Sequence, residues 1–288
     1  MSGDDRIALT ARAVAFDWSA LPVHWIPGEP FATHLLDVLH LLLPEGERWF
    51  VRVFGAALPL VRDPALAEDV RGFIGQEAMH ASSHQGVLDH FAARGVDTSP
   101  YVRQVEWMFT QALGERDLTG DAAREWLVER VALIAAIEHV TAFLGQWVLD
   151  ARALDAAGTD PTMLDLLRWH GAEEVEHRAV AHDLLVHLDS RYSRRVRALI
   201  PAVPILVRLW AQGVGFLLRR DPVPTRARWR DLRRAATLGL CPAFRPTLRA
   251  MAAYLRPGYH PSHYGSTDAA VAYLATSSAA RAADERAA

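Results

Sequence analysis

A glutamate and a histidine recur at a spacing of three residues in two segments whose apolar residues follow a helical pattern. In the first segment, Glu77 and His80 are followed by His84. On an α-helix, residues three and seven positions apart return to nearly the same face. The apolar residues of that face are Phe73, Val87, Leu88 and Phe91. A carboxylate or imidazole without a partner is costly in such surroundings, so this segment predicts a bound metal ion.

The second segment repeats the spacing in Glu174 and His177, with His170 one turn earlier. The apolar residues that continue its face are Leu166, Ala181, Leu184 and Leu188. A single Glu-x-x-His motif is weak evidence, because motif matches arise by chance and a histidine on an apolar face is more often a hydrogen-bonded core residue. Two such helices, each with an extra histidine, favour a metal site.

Two further glutamates stand alone in apolar helical segments. Glu47 begins an apolar stripe that reaches Leu58, and Glu138 is the only charged residue within 131–149. Charges close to the ends of the second stretch favour a buried bundle helix over a membrane span. A buried glutamate needs a partner, and a metal ion shared with neighbouring helices supplies one. The alternative for Glu47 is an acid that merely favours a helix N-terminus, which is our interpretation of Glu45.

The composition excludes several classes of function. All 31 basic residues are arginine, so Schiff-base, pyridoxal-phosphate and phosphate-loop chemistry, which need a lysine, are excluded. The single cysteine, Cys241, excludes a thiolate-rich metal site and fits a reducing compartment. A net charge of -3 argues against general nucleic-acid binding. The polar N-terminus, Met1 to Arg6, has no signal-peptide pattern, so we expect a cytoplasmic protein.

The order of the segments predicts one domain over residues 1–288. A stretch rich in proline and tryptophan, 11–30, predicts an irregular N-terminal arm. Residues 31–190 form the predicted metal-binding core, and 191–265 the predicted accessory helices and loop. Residues 266–288 are alanine-rich, which predicts a flexible tail or a loosely held helix.

Proline residues mark the expected helix boundaries. Two Asp-Pro pairs, at Asp63 and Asp160, are typical helix starts, with aspartate as the N-cap and proline at the first helical position. Pro44 predicts a kink or a restart. Residues 198–220 are strongly apolar but interrupted by prolines and by Arg208. Three interpretations of that segment stay open: a cover over the bundle, a contact with a membrane surface, or the wall of an apolar substrate tunnel.

Several acids and histidines near the motifs receive no ligand role. Glu173 and Glu176 fall off the stripe defined by Glu174, and each is interpreted as a solvated neighbour, although Glu173 is the alternative to Glu174 as the stripe residue. His139 lies about a quarter-turn from Glu138, so we expect it to orient that residue or to pack. Two histidines in a proline- and glycine-rich loop stay unassigned, namely His260 and His263.

The assembled ligand set matches the pattern of dinuclear carboxylate proteins. Those proteins take one glutamate from each of two helices and a Glu-x-x-His motif from each of two others. In order along the chain, the candidates are Glu47, Glu77 with His80, Glu138, and Glu174 with His177. Oxygen and imidazole ligands without thiolate suit two ions of iron or manganese, with zinc left open. We therefore predict an all-α fold, a ferritin-like four-helix bundle with an irregular N-terminal arm and additional C-terminal helices.

Three sequence stretches carry a family resemblance. Residues 44–50 read Pro-Glu-Gly-Glu-Arg-Trp-Phe, residues 76–84 hold Gln-Glu-Ala-Met-His and a following Ser-Ser-His, and residues 169–181 hold Trp-His-Gly-Ala-Glu-Glu-Val-Glu-His. They resemble the predicted metal-dependent hydrolase family of bacteria. The resemblance implies a ferritin-like, all-helical metal protein. His84 and His170 exceed the minimal ligand set, so they are either third histidine ligands, one per metal, or residues that orient the carboxylates.

Two enzymatic activities and one non-enzymatic role follow from such a site. We expect a di-iron enzyme that uses dioxygen to oxidise a small, largely apolar molecule. The alternative enzyme is a metal-dependent hydrolase that activates water, and the non-enzymatic alternative is an iron-binding protein. No nucleic-acid partner is expected, a membrane surface is a candidate partner for 198–220, and homodimer formation stays open.

Overall fold

Helices account for all the regular secondary structure of residues 7–222, 224 and 226–287, which are those described by this computed structural model. The α-helices are α1 (Pro30–Ala57), α2 (Pro64–Ala93), α3 (Ser99–Trp107), α4 (Gly120–Asp150), α5 (Arg152–Ala156), α6 (Pro161–His177), α7 (Val180–Leu188), α8 (Tyr192–Arg220), α9 (Trp229–Thr237), α10 (Phe244–Tyr254), α11 (Thr267–Leu274) and α12 (Ser278–Ala287). The all-α prediction is confirmed. Residues 1–6, which carried the expectation about a signal peptide, lie outside the described residues.

The two Asp-Pro pairs start helices as predicted. The Asp63 carboxylate accepts a hydrogen bond from the backbone N–H of Ala65 at 2.9 Å, and Pro64 occupies the first position of α2. Asp160 does the same for α6 and accepts from Thr162 and Met163, both at 3.0 Å. Each cap satisfies N–H groups that have no partner inside the helix, so the start of each motif-bearing helix is encoded locally.

Four long helices pack around a shared core, and we refer to α1, α2, α4 and α6 as the central helices. α1 packs along α2, and α4 packs along α6. Contacts of α1 with α4 and of α2 with α6 close the group. The core between them includes the buried side chains of Trp49, Phe54, Phe73, Ile134 and Trp169. Every predicted ligand lies on a central helix, so this packing brings the motifs together.

Pro44 was predicted to cause a kink or a restart. The restart is wrong, because α1 runs through that residue without interruption, and the kink stays a prediction. Proline lacks the N–H that bonds to the carbonyl four residues earlier. Pro44 is buried, and Leu41 and Trp49 on either side of it are almost fully buried as well. Packing of the surrounding residues therefore holds the helix together across the missing hydrogen bond.

The helix predicted to continue from the second motif through Leu188 is interrupted at Arg178 and Ala179. These two residues keep right-handed helical dihedral angles, with φ and ψ of -48° and -23° for Arg178. Beyond them, Ala181 and Leu184 of α7 are fully buried. The apolar face therefore continues, although the helix is divided into α6 and α7.

The N-terminal arm lies against α2. Residues 7–29 contain no helix, and glycines on α2 give the arm room to approach. A Cβ atom added at Gly72 would lie 2.5 Å from the Cβ of Leu9, and one at Gly86 would lie 3.0 Å from the Trp18 indole nitrogen. The Trp25 indole donates to Asp37 of α1 at 2.7 Å. The arm is therefore irregular in backbone but packed closely on the central helices.

The C-terminal part adds helices around this core. α8 packs on α1 and α4, and α10 contacts α4. By length and composition, α8 could cross a membrane. In this structure 33% of its most apolar 18-residue window is buried in the protein, so most of that window is exposed. The predicted tail forms α11 and α12 within the described residues, and both contact α6. The proposed division into core, accessory and tail segments stays a prediction.

Two glycines allow α4 and α6 to approach closely beside the second motif. A Cβ atom added at Gly145 would lie 2.5 Å from the carbonyl oxygen of Gly171 and 3.1 Å from the Cβ of Glu174. A Cβ added at Gly171 would lie 2.9 Å from the Cα of Gly145. The backbones therefore meet at a distance that only glycine permits.

We predict that Gly145→Ala destabilises the protein by about 1–3 kcal/mol, because the methyl group forces the helices apart. Gly55→Ala in α1 is the matched control, since no atom lies within 4 Å of its added Cβ. Alanine there should stabilise the helix by about 0.5–1 kcal/mol. Urea unfolding of both variants measures the difference, and equal stability of the two would contradict the close approach.

Candidate metal centre

Four of the predicted ligands converge at one point between α2, α4 and α6. His177 Nε2 lies 3.3 Å from Glu77 Oε1, 3.3 Å from Glu138 Oε2 and 3.5 Å from Glu174 Oε2. One ligand atom from each of these four residues lies within 4.8 Å of every other. Three carboxylates and an imidazole around one point form a set that suits a divalent metal ion.

A second group adjoins the first and shares Glu174 with it. His170 Nε2 lies 2.9 Å from Glu174 Oε1 and 3.7 Å from Glu47 Oε1. His80 Nδ1 lies 3.8 Å from the same Glu174 oxygen, and its ring stacks on that of His170 at 4.0 Å between centroids. The two groups therefore lie side by side, with the two oxygens of Glu174 directed one to each.

The residues fit a pair of metal ions because their polar atoms are buried and lack other partners. The exposed fractions of the four glutamates lie between 0% and 3%. Among the described residues, these ligand atoms have no hydrogen-bond partner: both oxygens of Glu47 and Glu77, one oxygen each of Glu138 and Glu174, His80 Nδ1 and His177 Nε2. Leaving such groups unpaired costs free energy, and four carboxylates offset the charge of two divalent cations.

Burial and the neighbouring charges shift the pKa values of the clustered residues. Burial, followed by repulsion from Glu174, raises the pKa of Glu138 to about 8. Burial and the nearby Glu77 also raise the pKa of Glu47 well above its ordinary value. Burial lowers the pKa of His177, but Glu174 and Glu138 outweigh it and raise that pKa well above 6.5. Metal ligands bind in deprotonated form, so bound ions would replace these protons.

Glu173 is fully buried next to His80 Nε2, so the expectation that it is solvated is wrong. His80 Nε2 donates to Glu173 Oε2 at 3.0 Å, while Arg12 and Trp169 donate to Glu173 Oε1 at 2.7 and 3.1 Å. A carboxylate on the far nitrogen of a ligating histidine fixes its tautomer and increases its basicity. Glu173 therefore directs His80 Nδ1 towards the cluster.

Gln76 has the equivalent position beside the other motif histidine. His177 Nδ1 donates to Gln76 Oε1 at 3.0 Å, and Gln76 Nε2 donates to Glu176 at 3.2 Å. Glu176 also accepts from Arg12 at 3.0 Å, and its side chain is 2% exposed, so the expectation of solvation is wrong for this residue too. Gln76 stands directly before Glu77, but nothing in its spacing distinguishes it from any polar neighbour of a motif.

His84 lies between two other imidazoles. Its Nε2 is 2.6 Å from His170 Nδ1, and its Nδ1 is 2.7 Å from His40 Nδ1. Burial lowers the pKa of His40 to about 4 and holds the pKa of His84 well below its ordinary value. Both rings are therefore neutral, and each of the two contacts is one hydrogen bond whose donor is set by the tautomers of the rings. His40 was not expected from the sequence, since no acid with the motif spacing accompanies it.

A cavity of about 560 Å³ adjoins the second group. His84, His170 and Glu174 form its polar wall. The remaining lining is mostly apolar and comes from α1, α4, α8 and α10, with residues such as Leu39, Leu144, Val203, Trp210 and Met251. A ligand in this cavity would contact the metal-binding residues directly while its remaining surface lay against apolar side chains.

Other histidines lie outside this centre. His139 Nε2 donates to the carbonyl of Ala250 at 2.8 Å, and its Nδ1 is 2.7 Å from the Tyr259 hydroxyl, so it joins α4 to the C-terminal part. His260 donates to Asp183 at 2.9 Å. A separate group, His24, His34 and Asp221, connects the arm to α1 and the end of α8.

Comparison with known proteins gives one match. A family described as predicted metal-dependent hydrolase matches residues 10–265. The curated proteins and the solved structures contain no significant match. The matched range covers most of the chain and includes all the candidate ligands, the arm and the helices that line the cavity.

We predict that Glu174→Ala lowers the metal content from about two ions per chain to less than one, because this residue faces both groups. Glu47→Ala should remove about one ion by the same argument. Glu45→Ala is the matched control on the same helix and should leave the metal content unchanged, since the partly buried Glu45 pairs with Arg48. Metal analysis of the purified variants tests the assignment, and full retention in Glu174→Ala would contradict it.

Proposed function

This chain belongs to the family of predicted metal-dependent hydrolases, and from that premise we propose that it is a ferritin-like di-iron enzyme that oxidises a small, largely apolar molecule with dioxygen. The family supports a metal-dependent enzyme in general. The finer proposal adds the identity of the metal, the type of reaction and the class of substrate. The cluster and the cavity beside it support these three additions.

We assign the ligands from the two groups of converging atoms. Glu77, Glu138, Glu174 and His177 would hold one ion, and the second would lie among Glu47, His80, His170 and Glu174. In this arrangement α1 and α4 each supply a lone glutamate, and α2 and α6 each supply a Glu-x-x-His motif, which is the ferritin-like distribution. Two bound ferrous ions would supply two of the four electrons that full reduction of dioxygen requires, the oxidised substrate would supply the other two, and an external reductant would restore the ferrous ions.

The residues around the ions would keep their ligands in place. Glu173 and Gln76 accept hydrogen bonds from the outward nitrogens of His80 and His177, so the inward nitrogens are the ones that would lose a proton and bind an ion. The Thr141 hydroxyl lies 3.5 Å from Glu138 Oε1 and also lines the cavity. The neutral row from His40 through His84 can accept a hydrogen bond from His170 Nδ1, which would leave His170 Nε2 free to bind an ion.

The observation that carries the proposal is the shared wall between the cluster and the apolar cavity. Burial of apolar surface favours binding by roughly 25 cal/mol per Å², so this cavity selects hydrocarbon-like molecules. An ester, amide or phosphoryl group needs polar donors that stabilise its developing charge. Apart from the cluster, the polar side chains of the lining include Thr141, Thr247 and Arg228 among mostly apolar residues, and this predominance of apolar surface supports oxidation over hydrolysis.

Hydrolysis is the second candidate, and the family description favours it. A metal site that lowers the pKa of water would serve that reaction with the same ligands. Iron binding without turnover is a third candidate from a non-enzymatic class. It accounts for the buried carboxylates but gives no role to the cavity that adjoins them.

We predict that the iron-loaded, reduced protein consumes dioxygen faster when an alkylbenzene probe is present, because the probe fills the cavity beside the cluster. Leu144→Phe, which narrows the cavity, should lower this stimulated oxygen uptake at least about fivefold while leaving the iron content unchanged. Leu133→Phe is the matched control, since Leu133 lies on the same helix and outside the lining. An oxygen electrode measures the oxygen uptake of both variants.

The same preparation distinguishes the alternatives. Absence of oxygen uptake together with metal-dependent turnover of model esters would favour hydrolysis. Stoichiometric oxidation of bound iron without any effect of the probe or of Leu144→Phe would favour iron binding.

A further inference from the structure

The apolar lining of the cavity continues onto the protein surface along α8. Ile200, Val203 and Val207 are spaced by three and four residues and therefore share one face of this helix. Val203 and Val207 line the cavity, yet Val207 is 63% exposed and Ile200 is 67% exposed. The same apolar face of α8 therefore lines the cavity at Val203 and Val207 and is exposed to solvent at Ile200 and Val207.

α10 and the start of α9 also have apolar residues that line the cavity and apolar residues that are exposed to solvent. Thr247 and Met251 of α10 line the cavity, while Phe244 and Leu248 on adjoining positions of this helix are 74% and 57% exposed. Trp229 lines the cavity and is 69% exposed. We define the docking face as the exposed apolar residues that line the cavity or share a helix with residues that line it: Ile200, Val207, Trp229, Phe244 and Leu248.

Positive charge is concentrated in the same part of the chain. Residues 200–256 contain eleven arginines and only two acids, whereas the whole chain has a net charge of -3. One of those acids, Asp221, is buried against histidines. The exposed arginines nearest in sequence to the docking face are Arg208, Arg226, Arg228, Arg230, Arg245 and Arg249.

We propose that the docking face lies on an anionic lipid bilayer. Exposed Trp, Phe and Ile side chains accompanied by arginines are the signature of segments that lie in the membrane interface. Each basic residue near an anionic surface adds to the attraction. A neutral apolar partner would account for the aromatic residues but not for the arginines beside them.

α8 lies along the bilayer in this arrangement and does not cross it. It packs on α1 and α4, and the exposed Arg208 lies near its middle, where the hydrocarbon interior would exclude a charge. A second copy of the chain is a poorer occupant of the docking face. An isologous contact would place the same arginines opposite one another, and like charges repel.

The location of the cavity mouth then specifies the substrate class, a step that rests on the proposed function. Val207 and Trp229 both border the mouth and belong to the docking face. A molecule dissolved in the bilayer could enter the cavity without crossing water. The substrate is therefore a lipid-soluble molecule delivered from the membrane, which agrees with the apolar lining.

Flotation of the full chain with vesicles tests the docking. The protein should float with vesicles of phosphatidylcholine and phosphatidylglycerol, and much less with phosphatidylcholine alone, and added salt should weaken the binding. Phe244→Ser with Leu248→Ser should weaken it about tenfold or more. Trp107→Ser is the matched control, because Trp107 is 61% exposed at the end of α3 and outside the docking face.

Charge variants provide a second comparison. Arg245→Gln with Arg249→Gln should weaken binding to anionic vesicles about tenfold, while Arg281→Gln in α12 should leave it unchanged. Equal flotation of the wild type and the docking-face variants would overturn the proposal, as would no flotation with either lipid. A concentration-dependent dimer that Phe244→Ser abolishes would also overturn it, because a second copy would then cover the face.

The outcome is separable from that of the proposed function. Phe244, Leu248 and the two arginines touch no candidate ligand, so their variants should keep the metal content and the oxygen uptake with the soluble probe. Retained uptake without vesicle binding rejects only the docking. Vesicle binding by a protein without oxygen uptake rejects only the oxidation.

Discussion

Burial of four glutamates among apolar helices is the constraint on which the rest of the structure depends. Glu47, Glu77, Glu138 and Glu174 come from four central helices and direct oxygens without hydrogen-bond partners at one another. Mutual repulsion and lost hydration oppose this arrangement strongly. Cations between the carboxylates would reverse the balance. The helices position the acids, and bound ions would in turn hold the helices together.

Several features elsewhere in the chain serve this centre. The arm supplies Arg12, which donates hydrogen bonds to Glu173 and Glu176, the two acids behind the motif histidines. The glycine contact between α4 and α6 brings Glu138 and Glu174 within reach of one histidine. The additional helices α8 and α10 enclose the cavity on the side of His170. These C-terminal helices therefore contribute to the candidate site, because their side chains form part of the cavity beside the cluster.

The sequence predicted the helical class, the two capped helix starts and the set of candidate ligands, because helical spacing and capping are local properties of the chain. It did not predict Glu173, Gln76 or His40. Their roles depend on partners 93, 101 and 44 residues away, and no local pattern encodes such distances. The restart predicted at Pro44 was wrong for a related reason, because the tertiary packing of α1 outweighs the local tendency of proline to end a helix.

Anomalous X-ray diffraction at the iron absorption edge tests the central claim most directly. Crystals of protein purified from iron-replete cells should show two neighbouring peaks, one among Glu77, Glu138, Glu174 and His177, and one beside His80 and His170. The absence of any anomalous peak in this cluster, or peaks confined to other histidines such as His24 and His34, would contradict the account.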